Sequence, residues 1–325
     1  MTLRHPLGQW LASAPVLLLA GLLIAAPAPA QDAFPGATPY TLAETGQHFA
    51  RLQEAINAIG TGTGTIRIAP GEWRDCGVQL AGNITYTAAV AGETVFSQSL
   101  CEDKATLVLR GKSARVQGLV FANLRMSDGN GAGIRLEKGN LAVAQSWFRD
   151  SEQGILANSD PTGTISIDQS TFTHLGRCDR DLPCAHSIYI NFYAKVSVTR
   201  TRFEAGDGGH YLKVRAGNVL VLDNSFDDSA GRSTNYMIDL PAGATGRIAR
   251  NWFVQGRNKE NPTTLIAVAA ESRKNSSNGL AIEGNTARFV AGLDGSSAFV
   301  ADWSGDRIVI GENRLAPGIS RFARR

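Results

Sequence analysis

From about residue 118 to residue 254 the chain repeats one order of apolar and polar positions. A short stretch alternates, a few turn residues follow, a second stretch alternates, and the phrase closes on a small polar residue and a Phe. The closings are Ser146-Trp147-Phe148, Ser170-Thr171-Phe172, Thr201-Arg202-Phe203, Asn224-Ser225-Phe226 and Asn251-Trp252-Phe253. Counting from Phe121, the phenylalanines are 27, 24, 31, 23 and 27 residues apart. Alternation over about five residues predicts a strand with one buried face. Self-similarity at this period predicts a solenoid, in which each repeat buries its apolar side against its neighbours.

Set in register, the first strand of each coil begins near Gly133, Gly154, Ser187, Tyr211 and Met237. Ile134, Ile155, Ile188, Leu212 and Ile238 then align and point inward, with Leu136, Ala157, Ile190, Val214 and Leu240 two residues on. A second strand follows in each coil. Ser146, Ser170, Thr201, Asn224 and Asn251 form a small polar column that continues at Asn285 and Asn313, where Ala287 and Leu315 take the Phe place. Rungs about 4.8 Å apart turn equal positions into stacks, so the polar column reads as a hydrogen-bonded ladder and the Phe column as stacked core. The fold expected is all-β, a right-handed parallel β-helix with two or three strands per coil. An antiparallel sandwich does not explain the same order recurring in every coil.

The ends differ from the repeat. Arg4 and His5, the apolar run Val16–Ala26 and Ala28-Pro29-Ala30 read as a secretory signal over 1–30. Residues 31–45 read as a linker. Phe49, Leu52, Ala55, Ile56 and Ile59 share one helical face, so 46–60 is expected to be a helix capping the solenoid. The β-helix is expected over 61–316, with a tail at 317–325. The protein is expected to be periplasmic or secreted, a monomer, and not inserted in a membrane once the signal is cleaved.

Four cysteines in an exported chain point to disulfides, with Cys178 paired to Cys184 across a five-residue loop and Cys76 to Cys101 about one repeat apart. The net charge of +3 falls to about +2 without Arg4 and gives no concentrated basic face for nucleic acid.

Chemistry is then sought on the outward positions of the first strands. The middle coils project His186, Tyr189, Asn191, His210, Lys213, Arg215, Tyr236 and Asp239 from one face. This set suits an acidic sugar. Removing the proton beside a uronate carboxylate needs a cation to neutralise the carboxylate, a base, and an acid for the leaving oxygen. Arg215 is the candidate neutraliser, His210 or Lys213 the base, and Tyr189 or Tyr236 the acid. His186 stacks beside His210, and Asn191 and Asp239 complete the binding face. Lys213 beside Asp239 is equally a cross-strand ion pair, which makes His210 the better base at neutral pH. The longest interval, before Phe203, inserts a loop that ends on His186. Its Asp179 and Asp181 are a weak calcium candidate, and otherwise no cofactor is expected. Residues 258–272 interrupt the repeat and supply Glu260, Asn261 and Glu271, of which Glu260 is the one expected to reach the face.

The stretch Gly209–Phe226, Tyr236–Gly243, Glu260–Glu271 and the upstream His186-Ser187-Ile188-Tyr189 resemble a family of exported bacterial right-handed parallel β-helix proteins within the pectate-lyase-like superfamily. The match covers about 185–272 closely, and it implies fold and export rather than a reaction. Lys213-x-Arg215 is loosely similar to the Lys and Arg of chondroitinase B-like and alginate lyases, although there the two lie on different coils. The calcium carboxylates of pectate lyases are not evident. Pectin-cleaving β-helix glycosidases carry several Asp residues and a Gly-His-Gly, whereas this chain has Asp207, Gly209-His210-Tyr211 and Asp227-Asp228. The expectation is a lyase or epimerase acting on an acidic polysaccharide. The alternative is a β-helix that binds glycan at the envelope surface without turnover.

Overall fold

A computed structural model describes residues 37–325. The leader expected at 1–30 lies outside the described residues, as does the first part of the expected linker.

Period-two alternation places the strands. Ile134, Ile155, Ile188, Leu212 and Ile238 stand in one parallel register, and all are fully buried. Each coil supplies three strands. Ala132–Leu136 leads to Asn140–Ala144, then to Trp147–Ser151, and the chain steps up one rung to Gln153–Ala157. Repetition of this path builds a right-handed parallel β-helix with sheets of 12, 10 and 10 strands. Asn140–Ala144 belongs to the first, Trp147–Ser151 to the second and Ala132–Leu136 to the third.

The Phe column is a continuous stack inside the second sheet. Phe96, Phe121, Phe148, Phe172, Phe203, Phe226 and Phe253 lie with successive ring centroids 4.7–5.9 Å apart and nearly parallel planes. The polar column is the ladder its spacing predicts. The backbone N–H of Thr201 donates to Asn224 Oδ1 (2.9 Å), Asn224 to Asn251 (3.0 Å), Asn251 to Asn285 (2.9 Å) and Asn285 to Asn313 (3.0 Å). Before the ladder positions from Ser146 to Asn251 the chain turns the corner in the left-handed region: Gln145, Gln169, Arg200, Asp223 and Arg250 have φ between 47° and 62°. The asparagine amides satisfy buried backbone groups at the corner that water cannot reach.

The N-terminal end is closed by more than a helix. The helix is Leu52–Ile59, shorter than the expected 46–60, and it buries Leu52, Ala55 and Ile56. Gln53 donates to Val78 O (3.0 Å) and accepts from Val78 N–H (2.7 Å), filling the open edge of the third sheet. A Cβ on Gly77 would meet Ile56 Cδ1 at 2.5 Å, so glycine there lets the helix seat. Tyr40–Leu42, inside the expected linker, is instead a strand. It pairs antiparallel with His48–Phe49 and with Thr63–Ile68, covering the edge of the first sheet. The tail expected at 317–325 is also corrected. Ile319–Arg324 pairs parallel with Ser297–Asp302, because that edge offers unpaired backbone groups and Phe322 lines up with Val300.

Both expected disulfides are formed, Cys76–Cys101 between neighbouring coils and Cys178–Cys184 within one loop. No helix among the described residues is long and apolar enough to cross a membrane.

Candidate functional site

Insertions enter on both sides of the third sheet: residues 176–187 precede one of its strands and stand over its face, and residues 269–280 follow another. Residues 177–185 form a narrow loop, joined at its base by the Arg177–Ala185 bridge and clipped by Cys178–Cys184. Arg180 reaches from it to the fully buried carboxylate of Glu152, which also accepts backbone N–H from Met126 (3.0 Å) and Gly131 (2.8 Å). Arg177 donates to Pro183 O at 3.2 Å. The loop is therefore anchored at several points and forms a fixed wall.

Below the wall, the outward column of the third sheet runs Arg135, Leu156, Tyr189, Lys213 and Asp239, one residue per rung. The structure brings the expected residues together, but it ties many of them to one another. Lys213 Nζ lies 3.3 Å from Asp239 Oδ2 and 2.6 Å from Glu271 Oε1. Arg215 pairs with the other oxygen of Glu271 and donates to the Tyr189 hydroxyl. Lys213 and Arg215 also lie over the Tyr189 ring, 5.7 and 5.1 Å from its centroid. Glu271 thus occupies the place expected of Glu260. Glu260 instead accepts from Asn235 (2.8 Å) and sits 3.8 Å from Cys178 Sγ, against the disulfide loop.

The histidines stack as their register predicts, with ring centroids 4.9 Å apart. His186 Nδ1 accepts the backbone N–H of His210 (3.0 Å), and His210 Nδ1 accepts that of Tyr236 (3.1 Å). A nitrogen that accepts carries no proton, so the network assigns the proton of each neutral ring to Nε2. His210 Nε2 then faces Asp239 Oδ2 at 3.4 Å as a donor. This geometry does not fit the base role expected of His210, because the lone pair that would take a proton is already engaged. Burial, then the charges of Lys213 and Arg215, push His186 down to about 3. Burial, with His186 and Lys213 behind it, holds His210 well below its ordinary range. Burial raises the Asp239 carboxyl to about 6, opposed by Lys213, and its Oδ1 has no hydrogen-bond partner among the described residues. Tyr236 accepts from Asn261 at 2.8 Å.

Towards the N-terminal coils the same face opens into a groove of about 480 Å³, walled by Pro183 and Cys184 of the loop. Tyr189 and Asn191 line it, together with Arg135, Gln153, Asn158 and Asn130, which the site reading of the sequence did not single out. Arg135 donates to Asn158 Oδ1 (2.7 Å) and makes no ion pair among the described residues. Its Nε and the Oε1 of Gln153, a residue only 1% exposed, are buried without hydrogen-bond partners among the described residues. Glu102, Asp103, Lys104 and Asp128 line the groove as well. Of the expected residues, His186, His210, Lys213, Arg215, Tyr236, Asp239 and Glu260 are not among those that line it.

Two other expectations are placed by the structure. Asp179 lies 3.4 Å from Arg177 and 3.5 Å from Arg180, so arginines take its charge. Asp228 is fully buried in the turn ahead of the third sheet, where it accepts from Tyr211 (2.7 Å), Thr234 (2.8 Å) and Lys259 (3.1 Å). Lys259 is 31 residues from its partner, and nothing in the repeat announces the pair. Among the described residues the one three-ligand grouping is Cys178, Cys184 and Glu260, whose sulfurs are joined in the disulfide.

Neither a family model nor a curated protein matches the chain. Solved structures similar to it include ORF18 of Geobacillus virus E2, at 14% identity and a TM-score of 0.50, covering 83% of this chain and 55% of that one. Another is the catalytic unit of a thermostable GH87 α-1,3-glucanase from Streptomyces thermodiastaticus strain HF3-3, at 14% identity and a TM-score of 0.38, covering 87% and 66%. This chain therefore spans less than two thirds of either. The likeness to ORF18 is one of fold.

Proposed function

We propose that this is a carbohydrate-active β-helix protein, periplasmic or secreted, that seats an extended uronate-containing polysaccharide in the third-sheet groove and acts on it as a lyase or epimerase. The groove carries the reading. Asn130, Gln153, Asn158 and Asn191 each combine a donor with an acceptor, as vicinal sugar hydroxyls require. Tyr189 offers a ring for a pyranose face. Arg135, a groove cation without an ion pair among the described residues, suits a carboxylate. The two disulfides support an oxidising compartment.

In elimination, a carboxylate of the groove lining, Asp103 or Asp128, would take the proton beside the uronate carboxyl, a carbon–carbon double bond forms, and the glycosidic bond breaks with its oxygen taking a proton. Arg135 would stabilise the charge that develops on the carboxylate. The oxygen of Tyr189 accepts from Arg215, which leaves its own O–H to protonate the departing oxygen. A second reading, glycan binding without turnover, is favoured by one observation. His186, His210 and Lys213, the groups nearest in chemistry to a base, are all engaged within the protein.

The test is incubation with a panel of uronate polymers, following unsaturated-uronate absorbance for elimination and polymer NMR for epimerisation. Tyr189→Phe is expected to lower turnover by about 10²-fold or more while binding persists, and Arg135→Ala to weaken binding. Saturable binding without product selects the second reading. Folded protein that neither binds nor converts any polymer rejects both.

A further inference from the structure

The second sheet carries a different surface. Five large apolar side chains are exposed among the described residues, and two of them are tryptophans, Trp147 at 42% and Trp252 at 41%. Both fall in one outward column. Trp147 aligns with Thr171, Thr171 with Arg202, Arg202 with Ser225 and Ser225 with Trp252. Four rungs separate the rings by about 19 Å along the solenoid axis. Each indole is backed by a guanidinium, Arg149 at 5.3 Å from the Trp147 centroid and Arg288 at 5.5 Å from that of Trp252. Trp147 Nε1 also donates to Thr173 at 3.3 Å. The rings are thus held in place, and Trp147 also has Val120, 2% exposed, beside it in the same column.

Between and beyond the rings the column is polar and basic. Thr171, Arg202 and Ser225 lie between them, and Thr286 and Arg314 follow. From Trp147 to Arg314 the column contains no carboxylate, and Arg202 and Arg314 make no ion pair among the described residues. The column two residues on is mixed, with Glu204 and Asp227 standing between Arg149 and Arg288 in the order of the rungs.

From this arrangement we infer a second binding track for an acidic polysaccharide, separate from the groove and without chemistry of its own. The chain would lie along the solenoid axis, with pyranose faces on Trp147 and Trp252 and carboxylates at Arg202 and Arg314. Indole pairs an apolar face with a polar edge, which suits a sugar ring whose C–H face is apolar and whose rim is hydroxylated. Arginine suits its carboxylates. Two sites on one protein hold a long polymer more tightly than either alone, because the second contact becomes intramolecular.

The test compares wild type, Trp147→Ala/Trp252→Ala, Arg202→Glu and the groove variant Arg135→Ala. Probes are immobilised alginate and polygalacturonate, a uronate trisaccharide, and dextran as the neutral control. The Trp variant is expected to lose roughly tenfold in affinity for the long polyanions, to bind the trisaccharide as wild type does, and to unfold at the same midpoint. Arg202→Glu weakens the polyanions by adding a negative charge, and dextran binds none of the proteins. Polyanion affinity unchanged in both surface variants overturns the track and leaves the groove reading intact. Loss confined to Arg135→Ala does the same. Dextran binding comparable to the polyanions overturns the charge argument. If instead the Trp variant loses anionic-vesicle binding or self-association with polymer affinity unchanged, the face has another occupant. No polyanion binding by wild type removes track and groove together.

Discussion

His186 and His210 each commit Nδ1 to a backbone N–H of the next coil, and both rings are deeply buried. The consequence is measurable. Unfolded histidines take up a proton near pH 6.5, whereas these two stay neutral well below that. Below about pH 6.5 the unfolded chain therefore binds more protons than the folded one, and stability is lost as pH falls. Asp239 acts in the opposite sense. Its carboxyl is raised to about 6, so between about pH 4 and 6 it favours the folded state at the acid end. Two histidines against one aspartate leave a net loss towards acid, about 1.4 kcal/mol per pH unit for each unbalanced proton. Urea unfolding from pH 7 to 4 should show this slope, and His186→Asn/His210→Asn, which keeps an acceptor at both positions, should flatten it. An equal slope in the variant would remove the histidines from the account. The sequence placed both residues correctly on adjacent coils; which ring nitrogen holds the proton depends on the path of the backbone one rung away.

Among the elements, the 177–185 loop separates stability from function. Its signals were visible in the chain as a long Phe interval and two close cysteines. Its anchorage was not, because Glu152 lies 28 residues before Arg180 and only the coil geometry brings them together. Loop-closure entropy assigns the six-residue Cys178–Cys184 separation roughly 2 kcal/mol, against about 3.5 kcal/mol for Cys76–Cys101, which spans 25. Cys76→Ser/Cys101→Ser is thus expected to cost more in denaturant unfolding than Cys178→Ser/Cys184→Ser. Calorimetric titration with uronate oligosaccharide should reverse the order, because Pro183 and Cys184 wall the groove. The same ranking in both measurements would mean that the loop is not part of the site.

For the whole molecule, each coil contacts its neighbours and little else, so local stability follows how well each end is closed. The N-terminal end has a helix, an antiparallel strand pair and a disulfide between coils. Near the other end Val309–Ile310 and Arg314–Leu315 are two-residue strands, and Val309 is 45% exposed. Hydrogen–deuterium exchange is expected to be fastest over 306–325 and slowest between Phe121 and Phe253, where the aromatic stack is unbroken. Earlier exchange at the capped end would contradict this.

By itself the sequence determined the coil path, the inward columns, the asparagine ladder, the stacked phenylalanines and both disulfide pairings. These follow from period-two alternation and from the stacking of equal positions, which are local rules repeated rung after rung. Tertiary structure decided the rest. Glu271 meets Lys213 across 58 residues, Lys259 neutralises Asp228 in a buried turn, and Ile319–Arg324 completes the third sheet. It also moved the open part of the site from the histidines to the groove beside Arg135 and Tyr189. Insertions leave the repeat, so the repeat fixes where they depart and not where their side chains land.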